Sequence, residues 1–241
     1  FYKIFWRHCY DVVQMLLPHE RRFILGEFGL AQMFKQGFRN INGVKMDVCH
    51  AFFNGKEAYS ALQITEMALA AMNAGVYATA LWTFTDIPNP EGMASRLNKW
   101  GLTRWDGEDF SARDWLYAYG LLVKYLKYSG KPFSIKTEDY LLRSGGVMND
   151  DGTFSLAIVN RHQEQTEIEV VLDNFKADKK VRMYLYDSAN VPRSKFAELQ
   201  EPSALLCACD GTIKITVPGS SIVMLTTDYT DAKPAPVTGV K

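Results

Sequence analysis

A glutamate stands where the first short apolar run of the sequence ends. Residues 23–25 are Phe-Ile-Leu, Glu27 follows after one glycine, and Phe-Gly comes next. A run that is apolar on both sides predicts a strand of a parallel sheet covered on both faces. In parallel α/β barrels, catalytic side chains project from the carboxyl ends of the strands. A carboxylate there can attack the anomeric carbon of a sugar or stabilise an oxocarbenium-like transition state. The alternative is a buried ion pair of Glu27 with Arg22 or Arg39.

A tryptophan lies near the end of the next apolar segment, which runs from Tyr77 to Phe84. Trp82 follows Glu27 by 55 positions (82 − 27). The apolar face of a pyranose stacks on an aromatic ring, so an indole at a strand end can form the floor of a sugar site. A core position is the alternative for Trp82, whereas we predict core positions for Phe28 and Phe84. The placement of Glu27 and Trp82 at the ends of adjacent strands favours a site.

Weaker candidates occupy the connections after these two strands. His50 could bind substrate hydroxyls, although a solvated loop histidine is the competing interpretation. Asp86 follows Trp82 closely and could bind a sugar hydroxyl or make a structural bond. Trp100 and Trp105 lie in a long loop, where one could line a subsite and the other pack on the fold. The alternation of Arg182, Tyr184 and Tyr186 on a later strand could indicate carbohydrate binding, but ordinary exposed positions or packing between domains are favoured.

Helical and extended segments alternate through the first half of the chain. Helical spacing predicts a helix over about 4–17, stopped by Pro18. A second helix is predicted to follow Asn54, its N-cap in a capping box with Glu57, and to run to Asn73. A third amphipathic helix begins after Ser111, which we predict to be its N-cap. With the strands that carry Glu27 and Trp82, the order is helix, strand, helix, strand, helix, which is typical of a parallel α/β sheet.

After Pro132 the apolar period changes from helical to two. Four segments alternate apolar and polar residues, and Asn149-Asp-Asp-Gly and Pro218-Gly supply turns. We therefore predict an α/β plus all-β fold: residues 1–131 as a parallel α/β part, residues 132–228 as an antiparallel β-sandwich, and residues 229–241 as a disordered tail.

The first part is too short for a complete barrel, which needs about 250 residues. Two strands cannot close a barrel, so we expect a missing N-terminal barrel segment, supplied by the same protein or by a second chain. The opening Phe1-Tyr2 is neither a start methionine nor a signal peptide and leaves the cellular location undetermined.

Composition excludes several classes of function. The 27 basic and 27 acidic residues give no net charge, which argues against a nucleic-acid partner. The longest apolar run, Met67 to Leu81, is shorter than the roughly 20 residues of a membrane span. The spacing of the four cysteines predicts no zinc site, and we expect no metal.

Four short stretches resemble the last quarter of retaining TIM-barrel glycoside hydrolases of clan A, with families 39, 5, 30 and 51 the most similar. They are Ile24-Leu-Gly-Glu-Phe-Gly, Ala80-Leu-Trp-Thr-Phe-Thr-Asp, Lys99-Trp-Gly-Leu and Tyr117-Ala-Tyr-Gly-Leu-Leu-Val-Lys-Tyr. The resemblance implies that residues 1–131 are the C-terminal part of a (β/α)8 barrel with its last two strands. It also implies a retaining glycoside hydrolase that acts on a carbohydrate by double displacement without a cofactor. Glu27 matches the nucleophile of strand seven and Trp82 the aromatic residue of strand eight. The acid/base glutamate of strand four has no counterpart in this chain.

Two other hypotheses remain open. The chain could be a non-catalytic carbohydrate-binding protein on a glycosidase-like scaffold, or Glu27 could be structural in another sheet enzyme. The sugar, the linkage and the choice between exo and endo action are not specified by the sequence.

Overall fold

A computed structural model describes most of the chain. The described residues are 2–28, 38–41, 44–47, 57–85, 87–88, 97–98, 101–104, 111–127, 129–133, 135–173, 179–193 and 198–229. Helix α1 spans Tyr2–Leu16, and a 3-10 turn at Leu17–His19 with Pro18 at its start ends it. This confirms the first predicted helix. The predicted disordered tail, apart from Tyr229, lies outside the described residues.

The middle of the chain contains the predicted strands and helices, with additional short strands between them. In order they are β1 (Ile24–Phe28), β2 (Phe38–Ile41), β3 (Val44–Asp47), α2 (Glu57–Asn73), β4 (Ala78–Leu81), β5 (Ile87–Pro88), β6 (Leu97–Asn98) and α3 (Asp114–Tyr125). β1 and β4 pair in parallel, whereas β2 pairs with β3 and β5 with β6 in antiparallel. The antiparallel pairs lie in connections for which the sequence predicted no strands.

The N-cap of α3 differs from the prediction. The cap position is taken by Arg113, whose backbone is extended and whose side chain makes no capping bond. Ser111 instead accepts hydrogen bonds from Arg104, at its carbonyl from the Arg104 amide and at its hydroxyl from the guanidinium. Because Ser111 is engaged with this neighbouring segment, the helix begins at Asp114 without it.

The second half of the chain forms antiparallel sheets. Its strands are β7 (Lys131–Phe133), β8 (Leu142–Met148), β9 (Phe154–Asn160), β10 (Thr166–Val171), β11 (Lys179–Asp187), β12 (Ala204–Ala208), β13 (Thr212–Val217) and β14 (Ser221–Thr226). Six of them make one sheet in the order β12-β11-β14-β9-β8-β7, and β10 pairs with β13 separately. The period-two pattern therefore predicted antiparallel structure correctly.

The two central strands of the six-stranded sheet, β9 and β14, are buried on both faces. On one face, Leu156 and Val223 belong to a core shared with β10 and β13. On the other face, Val159 and Met224 belong to a core shared with α2 and α3. Side chains alternate across a strand, so one run of apolar residues serves both cores. The sheet thus separates the helices from the β10–β13 pair.

Tyr184 and Tyr186 lie on the helix-facing side of β11 and are 3% and 0% exposed. Their alternation therefore reflects packing between the sheet and the helices, which was the favoured interpretation. The Tyr186 hydroxyl donates a hydrogen bond to the carbonyl of Ala58 in the first turn of α2, at 2.9 Å. None of the helices in the described part of the chain is long and apolar enough to span a membrane.

Candidate active site

The strands that carry the two main candidate residues are parallel neighbours, as predicted. Ile24 pairs with Ala78, Leu25 with Thr79 and Phe28 with Leu81. Carboxyl ends of parallel strands meet at the same edge of a sheet. The backbone of Glu27 and the residue that follows β4, Trp82, therefore lie at one edge.

A β-bulge interrupts this pairing at the position of the predicted nucleophile. From Leu25 to Phe28 the chain advances three residues, whereas from Thr79 to Leu81 it advances two, so β1 has one extra residue within Gly26–Glu27. Bulges bend a strand, change the direction of its side chains and are over-represented next to active sites. Glu27 is described here by its backbone; its side chain lies outside the described atoms.

Trp82 is hydrogen-bonded through its backbone to the end of β1. Its amide donates to the carbonyl of Phe28 at 2.8 Å, and its side chain is 41% exposed. The peptide bond from Trp82 to Thr83 is cis. Phe28, in contrast, is 6% exposed and packs in the helix core. The predicted core position of Phe28 is therefore confirmed, whereas Trp82 is partly exposed among the described residues and lies at the strand edge.

One face of the β1–β4 pair is covered by helices and the other is open. Leu25 and Leu81 pack against the core that contains α2 and α3. The opposite face presents Ile24 at 55% and Phe84, just beyond β4, at 59% exposure. The predictions that both faces of these strands are covered and that Phe84 is a core residue are therefore wrong for the described part of the chain, in which no element packs on that face.

Tyr119 of α3 ties the helix to both strands. Its ring lies 6.1 Å from the ring of Phe28, and its hydroxyl hydrogen-bonds with Thr79. Burial raises the pKa of Tyr119 above its ordinary value, so the group stays neutral and acts as a hydrogen-bonding anchor. The helix behind the candidate site is thereby fixed in register with the two strand ends.

The segment after Trp82 is held by residues that sequence reasoning did not identify. The amide of Leu102 donates to the carbonyl of Thr83 at 3.0 Å, and the amide of Thr103 donates to that of Phe84 at 2.9 Å. The Thr103 hydroxyl, fully buried, also donates to the Phe84 carbonyl at 3.1 Å. Residues 83–85 and 101–104 therefore run together as a short extended pair beside the strand edge.

The start of α3 supports this extended pair from behind. The buried Trp115 donates from its indole to the carbonyl of Gly101 at 2.7 Å. The amide of Arg113 donates to the carbonyl of Leu102 at 2.8 Å. No periodicity or spacing in the sequence marks these contacts, because each joins segments that pair only after the loop has folded.

The remaining predicted site residues are not placed by the structure. His50, Asp86, Trp100 and Trp105 lie outside the described residues. Of the alternative partners of Glu27, Arg39 is described by its backbone alone, and the Arg22 guanidinium lies over the ring of Tyr77 at 4.3 Å. Tyr77 precedes β4, so Arg22 sits at the amino ends of the strands, whereas Glu27 lies near the carboxyl ends. Among the described side chains, no group of three His, Cys, Asp or Glu could hold a metal ion.

Comparisons with known proteins place the fold. No protein-family model and no curated protein matches the sequence. Among solved structures, the family 30 subfamily 8 xylanase Xyn30A from Clostridium acetobutylicum is similar with a TM-score of 0.61 at 9% identity, over 88% of this chain and 44% of its own. The catalytic domain of GH30 xylanase C from Talaromyces cellulolyticus is similar with a TM-score of 0.56 at 17% identity, over 85% and 40%.

A third similar structure, the endo-β1,6-glucanase BT3312, has a TM-score of 0.54 at 15% identity, over 92% of this chain and 38% of its own. This chain thus spans less than half the length of each of the three. The fold is like that of GH30 xylanases and related clan A glycoside hydrolases.

Proposed function

We propose that the chain is the C-terminal part of a retaining glycoside hydrolase, with Glu27 as its nucleophile and Trp82 as the floor of its sugar site. The observation that carries the proposal is the β-bulge at Gly26–Glu27 in β1. The parallel partner of this strand, β4, is followed directly by the exposed Trp82. The glycosidase-like fold supports it.

The reaction proceeds by double displacement. The Glu27 carboxylate attacks the anomeric carbon of a carbohydrate, an ester bond forms, and the O-glycosyl bond to the leaving group breaks. A second carboxyl group, on a segment beyond this chain, protonates the leaving oxygen. It then removes a proton from a water molecule, which attacks the same carbon and frees Glu27. Two inversions give net retention, and the two carboxyl groups need a separation of about 5–5.5 Å.

The proposal includes a complete (β/α)8 barrel around β1 and β4. The open face, with Ile24 and Phe84, fits the interior of such a barrel, and further strands from the same protein or from a second chain would cover it. Residues 1–131 would then be the last part of the barrel. Residues 132–228 would form the appended β-sandwich, in which β10 and β13 pack over the six-stranded sheet.

The other candidate residues have supporting roles in this proposal. Asp86 and His50 would bind sugar hydroxyls, and Trp100 and Trp105 would contribute to the walls of subsites. The proposed reaction does not depend on any of these four residues; within this chain it depends on Glu27 alone.

The test uses the complete protein and two variants, Glu27→Gln and Glu167→Gln. Glu167 is an exposed glutamate of β10 and serves as a matched control. We expect Glu27→Gln to abolish turnover of aryl xylosides or glucosides while the control keeps the activity of the wild type. An activated fluorosugar should label Glu27 covalently, as mass spectrometry of a digest would show.

A further variant tests the role of the carboxylate directly. Glu27→Ala with added azide should form a glycosyl azide of inverted configuration, because azide enters from the face that the carboxylate vacated. A wild type that binds oligosaccharides but turns over no aryl glycoside would identify a carbohydrate-binding protein instead. An active wild type that is labelled on another residue would show that Glu27 is structural.

A further inference from the structure

An arginine from the sheet half of the chain reaches the first turn of α3. Arg193, in the connection between β11 and β12, donates from Nε and Nη2 to the two carboxylate oxygens of Asp114, at 2.7 and 2.9 Å. The Asp114 side chain is 9% exposed and that of Arg193 63%. A bidentate arginine fixes the orientation of a carboxylate as well as its position.

The connection that carries Arg193 is itself held against α3. Val191 and Leu199 pack against the helix core, and Leu199 lies so close to Gly120 that a Cβ there would come within 2.6 Å of it. The side chain of Gln200 donates to the carbonyl of Leu185 at 2.7 Å, which ties the connection back to β11. The residues on both sides of Arg193 are therefore anchored to the helix core and to β11.

Three backbone hydrogen bonds, linked by the peptide bonds between neighbouring residues, connect Asp114 to the candidate site. The residue before Asp114, Arg113, donates to Leu102, and Leu102 donates to Thr83. The residue before Thr83 is Trp82, whose amide donates to Phe28, the neighbour of Glu27. The first turn of α3 is thereby joined through the backbone to the extended pair formed by residues 83–85 and 101–104.

We propose that Arg193 is a positioning residue of the candidate site: by fixing Asp114 it holds the start of α3 and, through it, the backbone around Trp82. Without the arginine, a nearly buried carboxylate would lack its bidentate partner, and the first helical turn would move to expose it to water. The statement that this site binds a sugar rests on the proposed function. The coupling between Arg193 and the backbone around Trp82 does not depend on that function.

The chain offers a matched control in Arg7. Arg7 donates from Nε to Asp11 at 3.0 Å in an arginine–aspartate pair within α1, with side-chain exposures of 67% and 52%. The two arginines are equally exposed, but the Arg7 pair joins residues four apart on one helix. Its loss should have no effect on α3.

The first measurement is hydrogen exchange of backbone amides in the complete protein, on the wild type and on Arg193→Met, Arg193→Lys and Arg7→Met. We expect the amides of Leu102, Thr103 and Arg113 to exchange at least about tenfold faster in Arg193→Met. Arg193→Lys should give an intermediate effect, because lysine keeps the charge and loses the fork. Arg7→Met should match the wild type. Unchanged protection in Arg193→Met would overturn the proposal, even if the protein proves to be a glycosidase.

The second measurement separates positioning from a loss of folded protein. With folded fractions matched by circular dichroism, Arg193→Met should raise KM for an aryl glycoside severalfold with little change in kcat, since Trp82 holds the sugar in both ground and transition states. At matched folded fractions, an unchanged KM would contradict a positioning role. A wild type without turnover, combined with faster exchange in Arg193→Met, would refute the proposed function and leave the coupling intact.

Discussion

The hydroxyl of Tyr125 on α3 donates to the hydroxyl of Tyr184 on β11 at 2.6 Å, in the buried interface between the helices and the six-stranded sheet. The two rings are 5.0 Å apart. Burial, and after it the neighbouring Tyr125 hydroxyl, raise the pKa of Tyr184 to about 12. A buried polar pair is satisfied in one relative placement of helix and strand, so it helps to specify how the two halves of the chain meet.

We expect Tyr125→Phe to lower the free energy of unfolding by about 1 kcal/mol, because it removes one buried hydrogen bond and little volume. The double variant with Tyr184→Phe should cost less than the sum of the two single changes, since the two hydroxyls share that bond. Urea denaturation of the four proteins measures both quantities. Strict additivity would show that the contact does not contribute to stability.

The raised pKa of Tyr184 predicts a loss of stability in alkaline solution. A group whose pKa is raised in the folded state keeps its full contribution below its unfolded value of about 10. The contribution disappears as the pH rises through about 12, because the folded protein must then hold a buried phenolate. Denaturation measured from about pH 9 to pH 12 should therefore show a steeper decline for the wild type than for Tyr184→Phe. Equal slopes would contradict the assignment.

A second interface contact involves Arg161, which follows β9, and Glu66 in the middle of α2. Arg161 Nη1 donates to Glu66 Oε2 at 3.0 Å, and its other nitrogen donates to the hydroxyl of Tyr59. Burial raises the pKa of Glu66, and Arg161, with a smaller contribution from Arg143, opposes that rise in part. We expect Arg161→Met to cost about 3 kcal/mol at neutral pH, because it removes the hydrogen-bonded partner of a largely buried carboxylate.

The pH dependence of that loss follows from the sign of the shift. A raised carboxyl pKa means that the folded state binds the proton more tightly, so its contribution to stability is complete below the unfolded pKa and is lost as the pH rises. Removal of Arg161 raises the pKa of Glu66 further. The stability cost of Arg161→Met should therefore shrink as the pH falls from about 7 to about 4, and Glu66→Gln in the same background should remove this dependence. A cost that is constant with pH would show that Glu66 does not carry it.

Trp82 and Tyr77 flank β4 at opposite ends and are similarly exposed, at 41% and 48%. If the sugar site lies at the carboxyl ends of the strands, Trp82→Ala should weaken oligosaccharide binding about tenfold, equivalent to about 1.4 kcal/mol. Tyr77→Ala should leave the affinity unchanged. Calorimetry with xylo- and gluco-oligosaccharides measures both values, and an equal effect of the two substitutions would argue against a site at the Trp82 end.

Local patterns in the sequence were sufficient for the main elements. The apolar spacing within 4–17 identified α1, and the capping box at Asn54 with the Ala-rich segment up to Asn73 identified α2. Alternation after Pro132 identified antiparallel strands. The adjacency of the strands bearing Glu27 and Trp82 also followed, because consecutive strands joined by a helix pair in parallel.

Features that depend on a distant partner could not be predicted in this way. The bulge at Gly26–Glu27 exists only relative to the register of β4. The pair formed by Arg193 and Asp114 joins residues 79 positions apart. Ser111 had the right residue type and spacing for a cap, but Arg104 competes for it. Phe84 is apolar like a core residue, yet its environment is set by what packs on the open face of β1 and β4.

The burial of β9 and β14 on both faces has a practical consequence for protein engineering. Each strand supplies one wall to the helices and another to the β10–β13 pair. Cutting the chain near residue 131, or replacing either half with that of a distant homologue, would separate the helices from the sheet face against which they pack. Chimeras should therefore exchange α2, α3 and the six-stranded sheet as a unit, with their joins placed elsewhere.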